Sequence, residues 1–162
     1  MRTSLTLVLL LFLAASPAAA RLRAQSSGAA FTRARVLAAI AVSGDNDLDF
    51  GLVAATQTKT IAAKSGGRFS VLGRANTPVL ITFTQLPSAL GPNLALSTWA
   101  GLRNTSPGSG GATAFTPVAG GTLTATLSNI GRYYLWLGAT LTATNATPGS
   151  YSVPVVITVV YN

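Results

Sequence analysis

Short runs of β-branched and aromatic residues, separated by clusters of Gly, Pro, Ser and Asn, constrain the fold of this chain most. The clusters include KSGG at 64–67, LPSALGPN at 86–93, SPGSGG at 106–111 and ATPGS at 146–150. Such clusters place turns between strands. After the first 25 residues no stretch has the 3.6-residue periodicity of an amphipathic helix. The pattern therefore predicts an all-β antiparallel sandwich or barrel.

The alternation within the runs predicts ten strands in one domain, with no internal repeat and no linker. We place the strands at 31–43, 48–53, 57–62, 68–73, 78–84, 93–99, 112–117, 121–127, 132–143 and 150–161.

The amino terminus has the order of a secretory signal peptide. Arg2 precedes an apolar run, Leu5–Ala15, and small residues follow Pro17. The run is shorter than the ~20 residues that cross a bilayer. We predict a signal peptide at 1–24, cleaved after Ala20 or Ala24, an N-terminal extension at 25–37 and a β-sandwich domain at 38–162. The mature chain is then secreted, through the periplasm to the cell surface, with no membrane span.

Composition excludes several classes of function. The chain has no Cys, His or Glu, and eleven Lys and Arg face only three Asp. Disulfides are impossible, and general acid–base catalysis has almost no groups to use, so we predict that the protein is not an enzyme and needs no cofactor. The bases are scattered singly rather than clustered among aromatics, which is unlike a nucleic-acid interface.

All three carboxylates lie in GDNDLDFG at 44–51. A helix–loop–helix calcium site beginning at Asp45 would need Gly at its sixth position and Glu at its twelfth, where this chain has Phe50 and Thr56. We interpret GDND as a turn and LDFG as the start of a strand, with Leu48 and Phe50 inward and Gly51 at a bend. A looser calcium site that uses Asp45 and Asp47 stays open as the weaker alternative.

The terminal run YSVPVVITVVYN is apolar on both faces, which is typical of a strand at a packed seam. Pro154 has no N–H for a ladder, so one side of the strand should be an edge there. The first mature segment, AAFTRARV at 29–36, can supply a partner by alternating small apolar residues with Arg33 and Arg35. Periodicity does not decide whether it is this domain's own first strand or pairs with a neighbouring molecule.

Aromatic residues offer a platform for sugars as an alternative to a core position. Tyr134 and Trp136 share one strand face, whereas Tyr133 points the other way, and we favour a core position for Trp136. Trp99 lies next to a loop. Two sequons, at Asn104 and Asn145, are formal glycan acceptors in predicted loops.

Three segments carry a family pattern. NDLDFGLV at 46–53 contains L-D-F-G, and YLWLGATLTATNATPGSY at 134–151 leads into a Pro-Gly turn. PGSYSVPVVITVVYN at 148–162 follows P-G-x-Y with alternating apolar residues and a near-terminal Tyr. With these markers the chain resembles a bacterial family of secreted β-sandwich proteins of uncharacterised function. That family is similar to spore-coat-U-like proteins and to chaperone–usher pilin subunits.

The resemblance implies an immunoglobulin-like, pilin-like sandwich that lacks one strand and polymerises when a neighbour's extension fills the gap. It implies identical subunits as partners, with a periplasmic chaperone and an outer-membrane usher in assembly. The donor strand would present Ala30, Thr32, Ala34 and Val36. The C-terminal strand would line the groove with Val153, Val155, Ile157, Val159 and Tyr161.

Two functional hypotheses follow. The first is a structural subunit of an extracellular filament, of pilus or fimbria type, or of a surface coat, assembled by strand donation. The second is a monomeric secreted module that binds carbohydrate or calcium.

Overall fold

The computed structural model describes residues 38–162 and contains ten strands and one 3-10 turn, Ala63–Ser65. The strands are β1 (Ala41–Asn46), β2 (Thr58–Ile61), β3 (Gly67–Leu72), β4 (Pro78–Gln85), β5 (Ala89–Gly91), β6 (Leu94–Asn104), β7 (Thr113–Phe115), β8 (Thr122–Thr126), β9 (Arg132–Ala143) and β10 (Val156–Tyr161). No helix among these residues is long and apolar enough to cross a bilayer.

The strands form two antiparallel sheets. The larger sheet has the order β1-β3-β9-β6-β5, with β2 also paired to β9 and β7 to β6. The smaller sheet has the order β10-β4-β8. The predicted all-β sandwich is therefore confirmed.

Alternating side chains of both sheets form the main core. The long strand β9 buries Leu135 and Leu137 on its inner face, and β4 buries Val79, Ile81 and Phe83 opposite them. Burying an aliphatic side chain of this size stabilises the fold by about 1.5–3 kcal/mol. This packing serves in place of the disulfides that a chain without Cys cannot form.

A second apolar cluster continues the interior toward the other end of β9. Leu141 and Ala143 of β9 pack there with Leu94 and Leu96 of β6, and Phe50 joins them from the loop after β1. Partly buried side chains from the segments after β1 and before β10 cover the cluster: Leu48, Val53, Tyr151 and Val153. This part of the interior therefore depends on loops as well as on paired strands.

The acidic stretch was predicted wrongly in two respects. Gly44–Asn46 belongs to β1 and pairs with β3, although we predicted a turn there. Residues 48–53 form no strand, because the Asp49 carboxylate accepts the Gly51 N–H at 2.7 Å and closes a turn with Gly51 at φ +59°. A side chain that bonds the backbone two residues on competes with strand pairing. The inward Phe50 and the bend at Gly51 are as predicted.

Three other boundaries differ from the prediction. β5 lies inside the segment that we took for a loop at 86–93, and β6 continues to Asn104. A bulge between Ser97 and Ala100, with Thr98 at φ +49°, lets β6 cross its irregular middle without ending. The last strand begins at Val156 rather than at residue 150 because β4, its partner, ends at Gln85.

Gly138 permits a close approach between chain segments in the larger sheet. A Cβ at this position would lie 2.5 Å from the Ala63 amide nitrogen and still closer to the Ile61 carbonyl oxygen. Only glycine accommodates this crossing of the β2 segment over β9.

Candidate functional site

The most prominent surface feature is an open cavity of about 1060 Å³ between the segments that follow β1 and precede β10. Residues 46–53 and 146–155 form much of its lining. Its floor consists of apolar side chains from the larger sheet: Phe69, Leu94, Leu96, Leu137 and Leu141. We call this cavity the groove. Leu94, Leu96, Leu137 and Leu141 are buried beneath the lining segments, and Phe69 is half-buried.

The strand β10 borders the smaller sheet and pairs, among residues 38–162, only with β4. Directly after β10, the Asn162 N–H donates to the Pro78 carbonyl at 3.1 Å. Alternate residues of an antiparallel strand bond to opposite sides. The backbone groups of Ile157, Val159 and Tyr161 therefore point away from β4, toward the side where the described chain supplies no partner.

The strand β1 borders the larger sheet in the same way. It pairs with β3, and no other described strand lies beside it. All six of its residues are exposed, including Val42, which lies opposite the buried Val71 of β3. The strand β1 therefore contributes no side chain to the core clusters.

Before β10, residues 150–155 pair with no strand of the described chain. Their side chains nevertheless pack inward, because Tyr151 and Val153 contact the second cluster and Val155 contacts the main core. Pro154, which cannot donate a ladder hydrogen bond, lies in this segment. The segment is therefore extended chain that lines the groove with its apolar side while its backbone stays outside either sheet.

The predicted groove residues divide into two groups. Val153 and Val155 line the groove. Ile157, Val159 and Tyr161 instead face the main core. The predicted donor positions Ala30, Thr32, Ala34 and Val36 lie outside the described residues, as do the predicted signal peptide and extension.

Sequence reasoning missed the other lining residues. Phe50 comes from the loop after β1, Leu90 comes from the short strand β5, and Trp99 lies within the bulge in β6. Their only signal was that they are apolar residues in polar, Gly-rich surroundings, and that signal does not indicate which sheet edge they reach.

Tyr161 fixes the end of β10 to the start of the described domain. Its hydroxyl donates to the Ala38 carbonyl at 2.7 Å and accepts the Arg74 N–H at 2.8 Å. A Cβ on Gly73 would lie 2.8 Å from the same hydroxyl oxygen, so glycine makes room for the ring. The chain therefore enters the domain directly beside the end of β10.

The carboxylate of Asp45, one of the two weak metal candidates, is already engaged. Arg68 Nε donates to Asp45 Oδ2 at 3.0 Å, and the Ser70 hydroxyl donates to Oδ1 at 2.9 Å. Within residues 38–162 no group of three potential metal ligands converges. Both oxygens of Asp45 thus serve the pairing of β1 with β3.

The aromatic residues do not form an exposed platform. Tyr134 and Trp136 share the outer face of β9, as predicted, but both are buried beneath Ala63, Leu102 and Ala112. Their ring centroids are 6.1 Å apart. Trp99 is half-buried, and its indole N–H donates to the Pro87 carbonyl at 3.2 Å.

Tyr133 lies on the inner face of β9, near Arg103. Burial raises the pKa of its phenol, and the Arg103 guanidinium acts in the opposite direction. The phenol is thus neutral at physiological pH and contributes a polar tip to the main core.

The two sequons differ in accessibility. The Asn104 amide donates to the carbonyls of Gly108 and Gly110, both at 3.1 Å, so its nitrogen is occupied in closing the loop. Asn145 is exposed at φ +51°. Of the two, only Asn145 presents its side chain on an open turn.

No family model, curated protein or solved structure matches the chain.

Proposed function

We propose that this protein is a structural subunit of an extracellular filament or surface coat. In this proposal the N-terminal strand of one copy fills the groove of the next copy. The fold is then an immunoglobulin-like, pilin-like sandwich that an incoming strand completes. The observations that carry the proposal are the apolar groove between residues 46–53 and 146–155 and two bordering strands, β1 and β10, each with one side free of any described partner.

Strand addition uses two properties that the domain provides, one on β10 and one in the groove. Free backbone groups on β10 provide hydrogen bonds to an extended segment, and the floor provides pockets for alternate side chains. A long apolar edge without a partner is also prone to aggregation. A specific occupant therefore removes a hazard as well as forming a contact.

Residues 29–36 suit the role of occupant by their sequence. Their small apolar residues alternate with Arg33 and Arg35. The small side chains can enter the groove while the two guanidinium groups remain in water. In the proposed pathway the signal peptide directs the chain to the periplasm, a chaperone covers the groove, and an usher passes the subunit to the cell surface.

A monomeric carbohydrate- or calcium-binding module has less support. Tyr134 and Trp136 are buried, and the Asp45 carboxylate is paired with Arg68 and Ser70.

The test compares the secreted full-length protein, boiled and unboiled, on denaturing gels and by negative-stain electron microscopy. We expect filaments and a ladder that collapses to one band on boiling. Ala34→Asp in the extension and Val155→Arg in the groove should each abolish the ladder. Thr60→Arg, on the exposed outer face of β2, should leave it intact.

A single band that boiling does not change, without filaments in wild type, would overturn the proposal. That result would indicate a domain that its own extension completes.

A further inference from the structure

Among residues 38–162, the charged side chains lie outside the strands of the smaller sheet. None of the strands β4, β8 and β10 contains a charged residue. The charged residues lie instead on the larger sheet and in loops: Asp45, Asp47, Asp49, Lys59, Lys64, Arg68, Arg74, Arg103 and Arg132. The two outer faces of the sandwich therefore differ in electrostatic character.

Threonine dominates the outer face of the smaller sheet. We call this surface the threonine face; its residues are Leu80, Thr82, Thr84, Thr122, Thr124, Thr126, Val156, Thr158 and Val160. The register aligns Thr122, Thr82 and Thr158 in one row across three strands, and the next row contains Thr124, Leu80 and Val160. Of the apolar members, Val156 is 40% and Val160 49% exposed, and Leu80 is half-buried.

These side chains are suited to contact with a similar surface. β-Branched residues have few χ1 rotamers, so little conformational entropy is lost when they are covered. Each threonine offers a methyl group and a hydroxyl that can donate or accept. Side chains on one β-sheet face recur at a regular spacing that matches the spacing on another sheet face. The threonine face also has none of the charges that commonly protect edge strands from association.

We propose that the threonine face is a lateral contact between two copies of this chain, each placing its threonine face against the other's. Where the copies belong to filaments, this inference rests on the proposed function. Contact through the larger sheet is less favourable, because its outer face presents the ion pair of Arg68 with Asp45 and the exposed guanidinium of Arg132. Burying an unpaired guanidinium against a neutral face is costly.

The area of the threonine face limits the strength of the contact that one pair of copies can form. Three strands about 4.8 Å apart and five residues of about 3.3 Å each give a face of roughly 240 Å². A stable interface buries about 800 Å² per partner. One pair of faces is therefore too small for a lasting dimer, whereas aligned contacts along two polymers add up. The contact should bundle filaments and leave free subunits monomeric at low concentration.

The test uses the full-length chain with Thr122→Lys and Thr124→Lys combined, both exposed on β8 and away from the β10 edge. The matched control combines Thr58→Lys and Ser97→Lys, which add the same charge to exposed positions on the larger sheet. Filament width in electron micrographs and low-speed pelleting measure bundling. We expect wild type and control to bundle equally. We expect the bundled fraction of the face variant to fall about tenfold, since an ammonium group is costly to bury without a partner, while filament length is unchanged.

Wild-type filaments that stay single, or face-variant filaments that bundle like wild type, would overturn the inference and leave the proposed function standing. If the protein forms no filaments, the proposed function fails, and the contact is tested on the monomer. At millimolar concentration, wild-type and control amide resonances should shift with concentration in β4, β8 and β10, and the face variant should show no shift. Resonances that do not depend on concentration in wild type would refute the contact.

Discussion

The hydroxyl of Tyr161 donates a hydrogen bond to the carbonyl of Ala38 across 123 residues of chain, at 2.7 Å. The same oxygen accepts the Arg74 N–H. One side chain thus joins the first described residue, the β3–β4 turn and the last strand.

Removing that hydroxyl should weaken the domain. We expect Tyr161→Phe to lower the free energy of unfolding by about 1–3 kcal/mol, since two hydrogen bonds are lost and the Arg74 N–H is left without its acceptor. Chemical denaturation of the full-length protein measures the change. The control is Tyr151→Phe, which removes one exposed bond to the Thr147 carbonyl and should cost less. Equal losses in the two variants would contradict a special role for Tyr161.

Gly138 should tolerate no side chain. We expect Gly138→Ala to cost about 3 kcal/mol or more, because the added methyl must displace the backbone of Ile61–Ala63. Gly108→Ala is the control, since a Cβ there meets nothing within 4 Å, and its effect should stay within about 0.5 kcal/mol. Thermal unfolding of both variants makes the comparison. A Gly138→Ala protein as stable as wild type would show that the crossing segment can move aside.

Alkaline pH should destabilise the fold through Tyr133. Because burial raises the pKa of Tyr133 in the folded state, folding disfavours the phenolate. The stability that Tyr133 contributes as a neutral phenol is fully present below the unfolded tyrosine pKa of about 10. It is lost as pH rises through the higher pKa of the folded state. Stability measured from pH 8 to 12 should fall above about pH 10, and less steeply in Tyr133→Phe. Identical slopes for the two proteins would exclude this cause.

Calcium should not affect stability. Because Arg68 and Ser70 engage both Asp45 oxygens, we expect the same melting temperature in calcium and in chelator. Asp45→Asn should cost about 0.2–1 kcal/mol, as for other partly exposed ion pairs. Asp47→Asn, in the loop after β1, provides the comparison and should cost less. A melting temperature that rises with calcium and loses this response in Asp45→Asn would instead support a metal site.

The parts of the fold that followed from the sequence are those where local pattern and tertiary packing agree. The alternation in β9 predicted the bounds of the strand. It also placed Leu135 and Leu137 on one face of β9 and Tyr134 and Trp136 on the other. The turn clusters likewise separated β3, β4 and β8. In these strands each residue's preferred side is also the side that the sandwich buries.

The errors came from interactions that periodicity does not record. The Asp49 side chain bonds the backbone and ends strand character that LDFG alone would favour. β5 exists because three residues, Ala89–Gly91, find a partner in β6. Residues 150–155 alternate like the rest of the last strand, but β4 ends before it can pair with them. Alternation therefore identified the groove-lining side chains Val153 and Val155, but only the position of β4 determined where pairing stops.

The tie between Tyr161 and Ala38 also has a mechanical consequence. Tension applied through the chain before residue 38 reaches the domain at the hydroxyl of Tyr161 before it loads the ladder between β1 and β3. Part of the force is then transferred to the C-terminal strand and, through β4, to the opposite sheet. A single phenol oxygen thereby distributes a pull on the amino terminus over both layers of the sandwich.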